Sequence, residues 1–289
     1  MLKRLTLFAF ALIFAIPAVC GAATTNPDWT TPFTPYRILG SIYYVGSRDL
    51  ASYLIVTPEG NILINSNLST SPLQIRKSVE QLGFHFTDIK ILLISHAHSD
   101  HCAGSALIKK LTHAQYMVMD GDVSVVESGG RKDFEFGNSP NMLYPAAKVD
   151  RILHDGDQVR LGNTVLTAHL TAGHTKGCTT WTLTVPDHGK LYNVVIVGSP
   201  TVLSEYKLVN NRAYPQIAQD FTKQFQTLRS LPCDVFLGAH GSYFGMRAKY
   251  ARLKAGDATA FVDPAGYRAF VEDYQRSFEE DLKKQQSKP

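Results

Sequence analysis

Six consecutive residues, His96-Ala97-His98-Ser99-Asp100-His101, gather three imidazoles and a carboxylate into one short stretch. Imidazole nitrogen and carboxylate oxygen are donors that zinc favours, and a catalytic zinc site keeps one position open for water. His96 and His98 are two residues apart, which in extended backbone puts both rings on one side. Asp100 and His101 fall where the chain turns toward a helix. Further ligands must come from elsewhere among the ten histidines. His174, in Thr171-Ala172-Gly173-His174-Thr175, and His240, in Gly238-Ala239-His240-Gly241, each follow a predicted strand. Both sit beside glycine, where backbone can approach a buried ion. His169 lies inside a predicted strand and reads as a packed or supporting residue. His85, His113, His154 and His188 lack such context and read as surface or structural histidines.

The segment that must present the first motif is Ile89 to Ile94, an apolar run of strand length that suits a strand buried on both faces. Short strands precede it at Ile42 to Val45, Ser52 to Val56 and Asn61 to Asn65, with a helix from Leu73 to Leu82 stopped by Gly83. Ala103 to Leu111 is predicted helical and Tyr116 to Met119 a strand. Residues 24 to 37, rich in Thr and Pro, read as an extended arm. Ser128 to Pro145, with three turn pairs, reads as a long functional loop. Strands resume at Arg151 to Leu153, Val159 to Leu161, Thr164 to Leu170, Thr180 to Val185 and Val194 to Val197. A helix from Ile217 to Leu231 leads into a strand at Asp234 to Leu237. The final helix, Ala265 to Lys284, carries Phe270, Tyr274, Phe278 and Leu282 on one face. Two strand-rich halves with helices outside make a layered α/β sandwich.

A chain of 289 residues with 44% hydrophobic and 19% charged residues can bury a sizeable core, which excludes a disordered or fibrous protein. The formal charge of +4 is spread without a Lys/Arg cluster, so no nucleic-acid partner is expected. Lys3 and Arg4 precede an apolar run from Leu5 to Ile16 and mostly small residues from Ala18 to Ala23. That is the layout of a secretory signal peptide, expected to end near residue 22 and leave 23–289 as the mature domain. Export implies an oxidising compartment, the periplasm, and no membrane attachment after cleavage. If Cys20 leaves with the leader, Cys102, Cys178 and Cys233 remain, an odd number. Cys102 and Cys178 flank the histidine motifs. They either pair with each other or act as small buried hydrophobes.

Together HAHSDH, Gly173-His174-Thr175 and His240 resemble, in content and order, the metallo-β-lactamase superfamily. The resemblance runs from about Pro35 to the C-terminal helix. Asp49 to Pro58, Gly60 to Ser66 and Val165 to Thr171 are similar to subclass B3, FEZ-type enzymes. It implies a four-layer αβ/βα sandwich and two zinc ions. His96, His98 and His174 would hold the first, and Asp100, His101 and His240 the second. Thioesterases of the superfamily carry a metal-bridging aspartate between the third and last histidines, and another lactamase subclass a cysteine; the segment Val197-Gly198-Ser199-Pro200 offers Ser199 instead.

The implied chemistry is hydrolysis of a β-lactam, a small-molecule substrate, by a monomeric enzyme. Two dications lower the pKa of water to near neutrality, so a hydroxide can open the ring without a covalent acyl-enzyme. Asp100 would also orient that hydroxide. The resemblance further assigns Tyr206 as oxyanion donor, although Glu205 stands where the family usually has glycine. It makes Ser199 and Thr201 partners of the substrate carboxylate. The loop Ser128 to Pro145 and the segment Phe33 to Tyr36 would wall the pocket. Cys233 matches a family cysteine whose partner is missing here, with Tyr267 in its place. Two other readings remain: a lactonase or thioesterase of the same fold, against which the missing bridging aspartate speaks, and a non-catalytic secreted zinc-binding protein.

Overall fold

A computed structural model describes residues 26–287, so the leader read in residues 1–22 lies outside the described residues. Among the described residues, twelve strands form two sheets. The first contains Tyr36–Leu39 (β1), Ile42–Tyr44 (β2), Tyr53–Thr57 (β3), Gly60–Ile64 (β4), Ile89–Leu93 (β5), Gln115–Met119 (β6) and Arg151–Leu153 (β7), in that spatial order. The second contains Gln158–Leu161 (β8), Thr164–Leu170 (β9), Thr179–Asp187 (β10), Lys190–Val197 (β11) and Val235–Gly238 (β12), ordered β12-β11-β10-β9-β8. Helices are Ser71–Gln81 (α1), Ser99–Cys102 (α2), Ser105–Thr112 (α3), Asp120–Glu127 (α4), Ile217–Ser230 (α5), Met246–Lys254 (α6) and Pro264–Gln286 (α7).

Strand alternation explains the layering. Tyr53, Ile55, Ile62, Ile64, Leu93 and Met117 enter one apolar cluster with Trp181, Leu183 and Val185 of β10, between the sheets. The intervening Leu54, Leu63, Leu92, Tyr116 and Val118 enter a second cluster with Ile75, Val79, Ile108 and Val125 of α1, α3 and α4. The first sheet is thus buried on both faces, which is why β5 is apolar at every position but the exposed Lys90. Phe221, Phe225 and Leu228 of α5 and Phe270 and Phe278 of α7 join the first cluster from the far side of the second sheet. The result is the four-layer αβ/βα arrangement expected.

Direction decides where the site falls. β4, β5 and β6 are parallel. β9 and β11 both run antiparallel to β10, and β12 is parallel to β11. The turns after β5, β9, β11 and β12 carry His96, His174, Ser199 and His240 respectively, so distant stretches of sequence meet at one sandwich edge. Crossing contacts lock that edge. Trp181 Nε1 donates to Ile94 O at 3.1 Å, and Thr179 N to Ser95 O at 2.7 Å.

Three helices, the single turn α2 together with α4 and α6, arise where no helix was expected. Residues 24–37 are not wholly extended: Pro27–Trp29 forms a short 3₁₀ turn capped by Asn26 Oδ1. Among the described residues, no helix is long and apolar enough to cross a membrane.

Candidate metal centre

His96 is buried in the turn that leaves β5, and His98, in extended backbone, is the residue before α2. Ser95 N donates to Asn65 Oδ1 at 2.7 Å, and Ala97 N to Asp122 Oδ2 at 2.8 Å, so the backbone around both histidines is fixed from two sides. One nitrogen each of His96, His98 and His174 lies within 4.8 Å of the others. His96 Nδ1 is 3.2 Å from Ser95 Oγ, and His174 Nδ1 donates to Thr201 O at 2.7 Å. Each ring therefore keeps Nε2 free. Burial, then neighbouring imidazoles, holds His96 and His174 well below the usual histidine range, so both are neutral, the form that binds metal.

A second cluster adjoins the first. His101 Nε2 is 3.2 Å from His240 Nε2, and Asp100 Oδ2 is 3.1 Å from the first and 3.5 Å from the second. Two imidazole nitrogens facing each other across a carboxylate oxygen, with His101 fully buried, form a donor set that suits a cation. Burial alone would raise the Asp100 carboxyl. The imidazoles of His101 and His240 overcome that and hold it far below the carboxylate range. His240 is oriented by Asp49, whose Oδ2 lies 3.0 Å from Nδ1 and whose Oδ1 accepts from Ser242 N at 2.9 Å. All six residues singled out as ligands meet here, in two sets of three that fit zinc by donor type.

The cleft above them has a volume of about 420 Å³. Asn26, Trp29, Met142, Thr201, Leu203, Tyr243 and Tyr274 join the ligand residues in lining it. Met142 comes from the long loop, as expected. Phe33 and Tyr36 do not line it: they pack with Tyr44 and Tyr250 in the core, because their rings complete an aromatic cluster under β1. The N-terminal wall is instead Asn26 and Trp29.

Tyr206 is 2% exposed, and its hydroxyl donates to His174 O at 2.7 Å. The hydroxyl is thus engaged with the His174 turn. Ser199 is 1% exposed, with Oγ 3.2 Å from the Tyr243 hydroxyl. Thr201 Oγ1 is 3.1 Å from the same hydroxyl but remains on the cleft wall. His169 bonds Thr182 Oγ1 at 2.8 Å, away from the metal centre. Cys102, Cys178 and Cys233 are free thiols, the first two buried. Cys178 Sγ accepts from Ser199 N at 3.2 Å, while Cys102 packs among the residues under α1, α3 and α4. Tyr267 and Cys233 line one cavity, and Tyr267 donates to Leu228 O.

Some supporting residues escaped sequence reasoning. Asp122, 1% exposed, accepts from Ala97 N and Thr175 Oγ1 through Oδ2, both at 2.8 Å, and from Gly177 N through Oδ1 at 2.9 Å. It ties the first histidine turn to the His174 turn. Burial pushes its carboxyl up to about 6, against those hydrogen bonds. A Cβ on Gly177 would come 2.7 Å from Asp122 Cγ, so the contact requires glycine. Asp49 stood in view beside a strand, but nothing local marked it as a partner of a residue 191 positions away.

Comparison with known proteins places the chain. Residues 45–240 match the metallo-beta-lactamase superfamily. The native FEZ-1 metallo-beta-lactamase from Legionella gormanii is 54% identical, with 89% of this chain and 98% of that one covered and a TM-score of 0.88. BJP-1 of Bradyrhizobium japonicum, a subclass B3 metallo-beta-lactamase, is 37% identical over 90% of this chain and 98% of that one, with a TM-score of 0.85. Curated relatives are more distant. A probable metallo-hydrolase of Burkholderia pseudomallei is 28% identical over 33% of this chain and 32% of its own length. The chain spans less than half the length of the curated relatives it matches first.

Proposed function

Because the chain belongs to the metallo-β-lactamase superfamily, on its B3 branch, we propose that it hydrolyses the amide bond of β-lactams with two zinc ions. The observation that carries this is the pair of donor triads at one cleft, in a chain similar over nearly its whole length to lactamases. His96, His98 and His174 would hold one ion and Asp100, His101 and His240 the other. When bound, zinc supplies Lewis acidity that lowers the pKa of water and polarises a carbonyl.

The chain's own residues do the rest. His96 and His174 stay neutral and fixed, since Ser95 and Thr201 engage their second nitrogens. Asp49 orients His240. Asp100, ionised and 13% exposed on its side chain, can hold a water by accepting its hydrogen bond and steer it toward the substrate carbonyl. Thr201 offers a hydroxyl to a substrate carboxylate, shared with Tyr243. Ser199 supports that arrangement through the same tyrosine. Tyr206 positions the His174 turn by its hydroxyl. Trp29, Met142 and Leu203 give apolar walls to the bicyclic body of the substrate, and the absence of a carboxylate at Ser199 sets the site apart from the bridging-aspartate thioesterases.

The leader-like residues 1–22 fit an exported, periplasmic enzyme; that it acts as a monomer and protects its host from antibiotics is part of the same proposal. N-terminal sequencing of a periplasmic fraction tests that placement.

The decisive assay uses purified protein with zinc and a carbapenem, followed by loss of ring absorbance. Turnover that disappears with EDTA and returns with zinc is the expected result. Zinc-loaded protein that cleaves a thioester but no β-lactam would overturn the reading.

A further inference from the structure

His98 differs from the other metal-centre histidines of its triad in one respect. His96 and His174 each have a partner for the nitrogen that faces away from the cluster. His98 Nε2 is buried without a hydrogen bond. Among the described residues, no hydrogen bond occupies its Nδ1 either, and the ring lines the cleft. An imidazole that binds metal through one nitrogen must carry its proton on the other, and a buried N–H without an acceptor is costly.

An acceptor stands nearby. Asp133 Oδ2 lies 3.7 Å from His98 Nε2, with the two side chains 5% and 6% exposed. That separation exceeds a hydrogen bond by under an ångström. Asp133 belongs to the long loop between α4 and β7. Its other oxygen, Oδ1, accepts from Glu135 N at 2.9 Å and Phe136 N at 2.7 Å, which folds the loop into a tight turn. The same turn sets the Phe136 ring edge-on to His98, with centroids 5.5 Å apart. Tyr144, farther along the loop, donates to Ala97 O at 2.6 Å. The loop is therefore fastened on both sides of His98, and Asp133 has one oxygen held by the loop and one directed at the ring.

We propose that Asp133 is a positioning residue of the first metal site: it accepts the His98 Nε2–H and so fixes Nδ1 as the metal-binding nitrogen. The inference deepens the zinc reading of the three-histidine site and rests on it. A further consequence is that metal binding and the conformation of the 128–150 loop are linked, because the carboxylate that closes the turn also closes the hydrogen bond. By reciprocity, whatever loosens the turn weakens the metal, and the metal steadies the turn.

The test measures zinc affinity by competition with a chromophoric chelator, with parent protein and Asp133→Asn side by side. Asparagine can keep Oδ1 toward Glu135 N and Phe136 N, but then faces His98 Nε2–H with an amide donor. Loss of such a partner typically weakens metal by about 10–100-fold, and that drop is expected for one of two zinc equivalents while apo-protein melting stays unchanged. Affinity within about twofold of the parent overturns the proposal. A parent that binds no zinc overturns the metal reading and this inference together, so the two failures are distinguishable. A second measurement needs no variant: nitrogen-15 NMR of the zinc-loaded parent with labelled histidine. His98 protonated at Nε2, with a slowly exchanging low-field proton, is expected. Protonation at Nδ1 overturns the proposal whatever the variant does.

Discussion

Asp122 bonds three groups from two separate turns, so its removal is felt at both. Hydrogen bonds to a charged group contribute about 1.5–3 kcal/mol each, and water entering the gap restores part of that. Asp122→Ala is therefore expected to lower the stability of metal-free protein by roughly 3–5 kcal/mol, read from urea unfolding. A loss below about 1 kcal/mol would mean the turns hold themselves. Tyr206 makes a sharper case, since the two roles assigned to it give different numbers. An oxyanion donor removed by Tyr206→Phe costs about 10²–10³ in kcat. A hydroxyl that only holds His174 O costs about 1 kcal/mol of stability and leaves kcat within about threefold. The second outcome is expected, and steady-state kinetics beside thermal melting separates them. At this scale the sequence shows ligands and hides their supports. Histidines at two-residue spacing with a following aspartate form a local pattern. Asp122 and Asp133 are carboxylates in unpatterned segments, and the groups they support in the histidine turns lie 25 to 55 positions away.

The strands were legible because alternation and apolar runs survive in the sequence wherever a face is buried. β7 and β9 fall at the residues expected, and most other strands within a residue or two. α4 and α6 were not, for opposite reasons. Asp120–Glu127 is poor in helix formers, with Gly121 and three valines, and is held by packing Val125 and Val126 under the first sheet. Met246–Lys254 has good helix formers, but only Met246 and Lys249 are buried, so no apolar stripe announces it. α7 is the contrary example: 23 residues with Phe270 and Phe278 buried. Phe278 stacks on Phe221 with centroids 5.3 Å apart and lies 5.8 Å from Phe225. Phe278→Ala is expected to cost about 3–5 kcal/mol, seen in unfolding midpoints. Phe221 matters to the site as well, because Gly173 rests on it at φ +138°, where an added Cβ would meet the ring at 2.7–2.9 Å. Gly173→Ala should displace His174 and weaken zinc at the first site more than at the second.

For the molecule as a whole, the two donor triads make stability a function of metal. His96, His98, His101 and His174 pack together at 0–5% exposure. Ions that bind the folded chain and not the unfolded one stabilise by RT ln(1 + [L]/Kd), about 4 kcal/mol per site at a thousandfold excess over Kd. For a domain of this size each kcal/mol moves the melting temperature by roughly 2–4 °C. Zinc is then expected to raise the midpoint by roughly 10 °C or more over EDTA-treated protein, with most of the rise from the three-histidine site if that site binds first. Asp100→Ala separates the contributions. It removes the only carboxylate from the second triad, so the variant should keep the first increment, lose the second, and lose nearly all β-lactam turnover. A full zinc-induced rise in this variant would show that Asp100 holds no metal. Because neither triad is local in sequence, with His174 and His240 arriving from the second sheet, the increment also reports docking of the two halves of the sandwich. Scanning calorimetry across a zinc titration should therefore show one cooperative transition that moves upward, since the site cannot melt without parting the turns of both sheets.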